Sequence, residues 1–411
     1  MKTLLNFVIA LVLLGWSTSP VSANATAWWE FQAVDTMKYS RDLSGELLEN
    51  PQKLKQITDQ QVKSIADLGA THVAIATPYD EKFLPVLKEW VAAARRYGLK
   101  VWFRGNLSGW EEWFGFPRIS REEHLKKIGE FIRNNPTLFE NGDYFSACPE
   151  CENGGPGDPR QTGDVAGYRQ FLIAEYQEQL QAFRDINKNV QVNLNSMNGD
   201  VAKLVMDKAT TTALGGQVVV DHYVETPAEL DQDITAFAEA SGGKVILGEF
   251  GAPIPDIHGH MTEEQQAEWL KQSFHLLAQN PNLVGLSYWT NVGGSTSLWT
   301  EDGTPKQAAQ VVKVAFTPRV LTGKVVNPLD QEVQATLRLG PKTVTTENGS
   351  YQLPYIDETG IVRVSANGYA GQEYYVTELQ QHPVIELIPT RPSLWYRLQA
   401  WFRQLSSRLG F

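Results

Sequence analysis

The chain has 411 residues, 42% hydrophobic and 10% aromatic, with a formal net charge of −11 and only two cysteines. That length exceeds one ordinary domain and suits a barrel of about 250 residues plus a smaller module. The acidic balance argues against nucleic acid and other polyanionic partners and leaves neutral polymers open; the 12 tryptophans supply flat apolar faces for ring stacking or core packing.

Lys2, an apolar run over 4–16 and Val21-Ser-Ala23 follow the charged, apolar and small-residue plan of a secretory signal over residues 1–23. The run is short for a membrane span. The chain is therefore expected to be exported (secreted, periplasmic or cell-surface), with an uncleaved anchor as the alternative.

Between 24 and 317, short β-rich runs alternate with helical stretches. The runs cover 28–32, 72–76, 101–104, 144–148, 190–195, 218–222, 245–248 and 284–289. Eight runs alternating with helices predict an α/β TIM (β/α)8 barrel. An open doubly wound sheet would alternate similarly, but no Gly-rich phosphate turn follows the first run. Ser120-Arg-Glu-Glu123 and Thr262-Glu-Glu-Gln265 read as capping boxes that open helices.

Residues 318–390 change character. Alternation at Val333, Ala335, Leu337 and Leu339 and the Asn348-Gly349 turn predict a small all-β sandwich domain. Residues 391–411 contain no acid. Leu394, Trp395, Leu398, Trp401, Phe402, Leu405 and Leu409 share one helical face, with Arg397, Arg403 and Arg408 around it. This basic amphipathic C-terminal helix suits a membrane surface, or docking onto its own protein, which is the favoured expectation.

The chemistry concentrates at strand ends. Glu249, in Val245-Ile-Leu-Gly-Glu-Phe-Gly251, ends an apolar run and is framed by Gly248 and Gly251. Glu150, in Tyr144-Phe-Ser-Ala-Cys-Pro-Glu-Cys-Glu-Asn153, ends the fourth run. Two carboxylates at the C-terminal rim of one barrel are what glycosidic bond cleavage requires. Glu152 is the alternative acid/base. Pro149 lacks an N–H and suits a strand terminus, which favours Glu150. Other strand ends supply candidate substrate-binding groups: Arg104, Asn106, Asn193, His222, Tyr223 and Trp289. Trp110, Trp113, Phe114 and Phe116 crowd the loop after the third run, as stacking surfaces or as a packed lid. Cys148 and Cys151 could form a redox pair, half a metal site or a local disulfide. The disulfide is expected in an exported chain, since no His pair at ligand spacing accompanies them. No metal or organic cofactor is implied.

These residues resemble the clan of retaining (β/α)8 glycoside hydrolases that includes the family 5 cellulases and mannanases. The matching stretches are Gly248-Glu-Phe-Gly251, His222-Tyr223, Tyr288-Trp289 and Leu298-Trp-Thr-Glu-Asp-Gly-Thr-Pro-Lys306. The resemblance implies a carbohydrate substrate with β-glycosidic bonds. It makes Glu249 the nucleophile, Glu150 the acid/base, Tyr223 the nucleophile's partner and Trp289 the substrate platform. Pro149 departs from the clan, which places there an Asn that binds the sugar 2-hydroxyl. That contact must come from elsewhere, such as Asn153 or Asn193, or the barrel is a non-catalytic glycan-binding or cell-envelope protein. Gly323-Lys-Val, Asn348-Gly-Ser-Tyr-Gln-Leu353 and Ser365-Ala-Asn-Gly-Tyr369 resemble the carboxypeptidase regulatory-type sandwich, a non-catalytic accessory.

Overall fold

The structure, a computed structural model, describes residues 27–409, with side chains through Trp401. The secretory-signal reading of residues 1–23 lies outside the described residues.

Among the described residues, eight parallel strands form one curled sheet: β1 (Phe31–Asp35), β2 (His72–Ile75), β3 (Lys100–Phe103), β4 (Tyr144–Phe145), β5 (Ser196–Asn198), β6 (Gln217–Asp221), β7 (Lys244–Phe250) and β8 (Leu283–Tyr288). Their order is β4-β3-β2-β1-β8-β7-β6-β5. The ring closes through a parallel bridge between Tyr144 and Gln191, where the Phe145 N–H donates to the Gln191 carbonyl at 2.8 Å. Helices cover the outside, so the strands are buried on both faces and read as nearly continuous apolar runs. Phe31, Ala33, Ala74, Trp102, Leu194, Val219 and Ile246 fill the barrel interior. With a period of two, the residues above them, Asp35, Arg104, Ser196 and Asp221, also point inward, at the C-terminal rim.

Two strand positions differ from the sequence expectation. The first strand begins at Phe31 rather than Trp28, because Trp28 and Trp29 pack beneath the barrel; the Trp28 indole N–H donates to the Ala278 carbonyl at 3.2 Å. The fifth strand was expected at 190–195, but its regular ladder runs over Ser196–Asn198 and only Gln191 bridges to β4. Thr262 and Gln265 form the full reciprocal capping box, whereas at Ser120 only the bond from the Glu123 N–H is present.

The sandwich follows directly. One sheet is ordered β11-β10-β13-β14 and the other β12-β9-β15. The strands are β9 (Arg319–Val326), β10 (Thr336–Leu339), β11 (Lys342–Thr345), β12 (Ser350–Tyr355), β13 (Ile361–Ser365), β14 (Gln372–Tyr375) and β15 (Val384–Glu386). Val333, Ala335, Leu337 and Leu339 are all buried, as their alternation requires. The sandwich packs under the N-terminal rim of the barrel, where His275 pairs with Asp357 and the Lys342 ammonium lies 5.2 Å over Trp28. A largely apolar cavity of about 800 Å³ at this seam lies on the far side of the barrel from the rim carboxylates. The C-terminal helix forms over Leu394–Leu409. Docking onto the protein was the favoured expectation, yet Leu394, Trp395, Leu398 and Trp401 all stay exposed.

Candidate active site

Glu249 owes its place to a bulge. Ile246 points into the barrel, so strict alternation would aim Gly248 inward and Glu249 toward the helices. The register between β6 and β7 slips there: Val220 pairs with Leu247, but Asp221 pairs with Glu249. The extra residue re-aims Glu249 into the mouth. Only glycine fits at 248, since a Cβ would lie 2.4 Å from Asp221 Oδ1 and 3.0 Å from Ser196 Cβ.

Beneath Glu249 sits Arg104, whose side chain is wholly buried. Its Nη1 lies 2.5 Å from Glu249 Oε1 and 3.2 Å from Asp35 Oδ2, and its Nη2 lies 2.6 Å from Asp221 Oδ2. Tyr223 donates its hydroxyl to the other Glu249 oxygen at 2.7 Å. One guanidinium and one phenol thus fix both carboxylate oxygens in place. Three acids share this cation. Burial pushes Asp35 up to about 6, and burial also raises Asp221 well above the usual carboxylate range, with Arg104 opposing both. Burial and the Glu249 charge raise the Tyr223 phenol too, so it remains a donor.

Glu150 reaches the same cleft from a tight loop. Its backbone is left-handed, with φ 47° and ψ 49°, a conformation that non-glycine residues adopt only when their surroundings impose it. The surroundings are a disulfide between Cys148 and Cys151, which brackets Pro149 and Glu150, and a bond from the Glu150 N–H to the Ser196 carbonyl at 2.8 Å. Asn153 donates its amide to Glu150 Oε2 at 3.0 Å. Burial first, then the nearby Glu249 charge, push the Glu150 carboxyl up to about 8, with Arg104 opposing. A loop of this size closes little chain entropy, so Cys148→Ser/Cys151→Ser is expected to cost only about 2 kcal/mol in stability. It should lower kcat by about tenfold as the Glu150 loop loosens. Thermal melting and steady-state kinetics check this, and unchanged kcat would remove the disulfide from the positioning of Glu150.

The cleft between the two glutamates has a volume of about 280 Å³. Its wall comprises Met37, Lys38, Arg41, Arg104, Glu111, Trp113, Pro149, Glu150, Asn153, Glu249 and Trp289. The Trp289 ring meets Tyr223 edge-on at 6.1 Å and carries the Lys38 ammonium 5.5 Å above it. The Arg41 guanidinium lies 4.7 Å over Trp113.

Of the residues expected at this site, Glu150, Glu249, Arg104, Tyr223 and Trp289 converge. Four others do not. Glu152 is buried behind the cleft, where it accepts from the Asn198 N–H at 2.7 Å, the Asn198 amide at 2.9 Å and the Tyr168 hydroxyl at 3.2 Å. Those bonds occupy both of its oxygens, and it does not line the cleft. Asn106 is buried against His124 Nε2 at 2.9 Å and its own loop backbone. Asn193 bonds Gln217, the first residue of β6, at 2.8 Å, which puts it toward the opposite rim. His222 follows the inward Asp221 and so turns outward, to pair with Asp233 at 2.7 Å. Among the loop aromatics, Trp110 is packed, stacked 5.2 Å from Phe171, while Trp113 lines the cleft.

Lys38, Arg41 and Glu111 were not singled out from the sequence. They lie on short helices beyond β1 and β3, Met37–Ser40 and Ser108–Glu111, or next to them, and no apolar run flags such positions. Burial pushes Glu111 up to about 7, with Arg41 opposing.

No protein-family model matches the chain, and no curated protein does. Solved structures match in fold. The GH5_18 protein of Streptomyces cattleya, solved in complex with Manb1-4GlcNAc, shares 16% identity over 72% of this chain and 84% of its own, with a TM-score of 0.52. The beta-D-glucuronidase of Dictyoglomus thermophilum shares 18% identity over 70% of this chain and 50% of its own, with a TM-score of 0.46. The chain spans about half the length of the beta-glucuronidases it matches. At 16% identity the likeness to the GH5_18 protein supports the barrel fold alone.

Proposed function

We propose that the protein is an exported glycoside hydrolase that cleaves β-glycosidic bonds in a neutral oligo- or polysaccharide with retention of configuration. One observation carries this reading. Glu150 and Glu249 line a single cleft beside Trp289, Glu249 held by Arg104 and Tyr223 and Glu150 kept protonated by its burial. Glu249, bonded by Arg104 and Tyr223, is the carboxylate nucleophile. Glu150, protonated up to about pH 8, is the acid.

In the first step Glu150 gives its proton to the glycosidic oxygen as Glu249 attacks the anomeric carbon, and the bond to the leaving group breaks. Forming the glycosyl ester removes the Glu249 charge, which is the second-largest cause of the raised Glu150 pKa. Glu150 therefore becomes a better proton donor as it acts and remains a carboxylate afterwards. In the second step it takes a proton from the attacking water and Glu249 departs as carboxylate. Asn153, which lines the cleft, is placed for the sugar hydroxyl that Pro149 has no group to bind. The sandwich, remote from the cleft, acts as an accessory module of the carboxypeptidase regulatory type.

Steady-state kinetics on a panel of aryl β-glycosides test the roles. With Glu150→Gln, kcat/KM on poor leaving groups is expected to fall by about 10²–10⁴-fold, and much less on dinitrophenolate leaving groups that need no proton. For the unaltered protein kcat/KM should fall as pH rises through about 8, where Glu150 loses its proton. The same leaving-group dependence in Glu152→Gln, with Glu150→Gln unaffected, would move the acid to Glu152. Binding of glycans without release of any aglycone would favour a non-catalytic barrel.

A further inference from the structure

The C-terminal helix Leu394–Leu409 plays no part in the barrel chemistry, yet Leu394, Trp395, Leu398 and Trp401 are 75, 70, 40 and 56% exposed. These positions recur at helical spacing on one face, and the sequence continues the pattern with Phe402, Leu405 and Leu409. The charge is segregated as well. Four arginines and no acid follow Glu386, so the rest of the chain carries −15 against a total of −11. Were the basic helix matched to its own acidic protein, Trp395 and Leu398 would be covered by it; they face solvent.

A helix of 16 residues is about 24 Å long, short of a bilayer core. No described helix is long and apolar enough to cross a membrane. We propose that this helix lies in the surface of an anionic lipid bilayer, its Leu and Trp face among the upper acyl chains and its arginines at the phosphates. Trp rings favour that depth, and Arg stems extend from the apolar face to bring their charge to the headgroups. The barrel would then work tethered beside a membrane.

Vesicle flotation of the chain without residues 1–23 tests this. Vesicles of phosphatidylcholine and phosphatidylglycerol, two to one, should bind it about tenfold or more tightly than phosphatidylcholine alone. High salt should weaken the binding. Trp395→Glu/Leu398→Glu should lose it without a change in melting temperature, and Arg397→Gln/Arg403→Gln/Arg408→Gln should lose the preference for the anionic lipid. Equal flotation of the Glu variant, equal binding to neutral vesicles, or no binding at all would overturn the proposal. So would a drop in the Glu variant's melting temperature, which would mean docking on the protein itself. A lipid-free dimer that the Glu variant abolishes would overturn it too, by assigning the face to a second copy.

Discussion

Glu249→Gln is expected to lower kcat/KM by on the order of 10⁵-fold, because the amide cannot form the glycosyl ester. The fold should survive, since the Gln carbonyl still accepts from Arg104 and the cleft volume is unchanged. Glu249→Ala opens space on the face opposite the leaving group. Added azide is small enough to enter there and should restore turnover, giving the α-glycosyl azide by a single displacement. Turnover of Glu249→Gln within tenfold of the unaltered protein, or azide rescue that yields the β-product, would contradict the assignment.

Arg104→Met is expected to be the most destabilising single change in the barrel. Among the described ion pairs Arg104 is the cation that bridges Asp35, Asp221 and Glu249, and Asp35 and Asp221 are both buried. Its removal strands buried charge, at a cost of about 3–5 kcal/mol. The pH dependence gives the cause away. Burial already raises Asp35 and Asp221, and without the guanidinium both move higher still, so the folded state holds more protons than the unfolded one. Stability then falls as pH rises through the interval between the unfolded and folded pKa values. The gap in melting temperature between Arg104→Met and the unaltered protein should widen from pH 5 to pH 8. A gap independent of pH would mean that lost packing against Trp102, 5.2 Å from the guanidinium, outweighs the charge.

Much of the barrel is legible in the sequence because parallel strands buried on both faces must be apolar runs, and eight such runs stand out. Boundaries are less so. Trp28 and Trp29 have the β propensity of a strand but are used to pack the barrel floor, a tertiary choice. β14, four residues with no buried side chain, leaves no apolar signal. In the site, Glu249 was marked by the apolar run it ends and by the glycines that frame it, of which Gly248 is the one its bulge demands. His222 fails because alternation after Asp221 sends it outward, and Asn193 because it lies ahead of the regular β5 ladder, toward the opposite rim. Lys38, Arg41 and Glu111 reach the cleft from short helices, where neither period nor propensity points to a mouth.

The most direct test is to find where a sugar attaches. The protein would be incubated with a panel of activated 2-deoxy-2-fluoro-β-glycosides, which slow hydrolysis of a glycosyl ester, and intact mass followed by peptide mapping would locate the adduct. One added glycosyl group is expected, on Glu249, slowed at high pH and formed by Glu150→Gln when the leaving group is good. An adduct on Glu150, Glu152 or Glu111, or none with a glycoside that the protein visibly hydrolyses, would contradict that assignment.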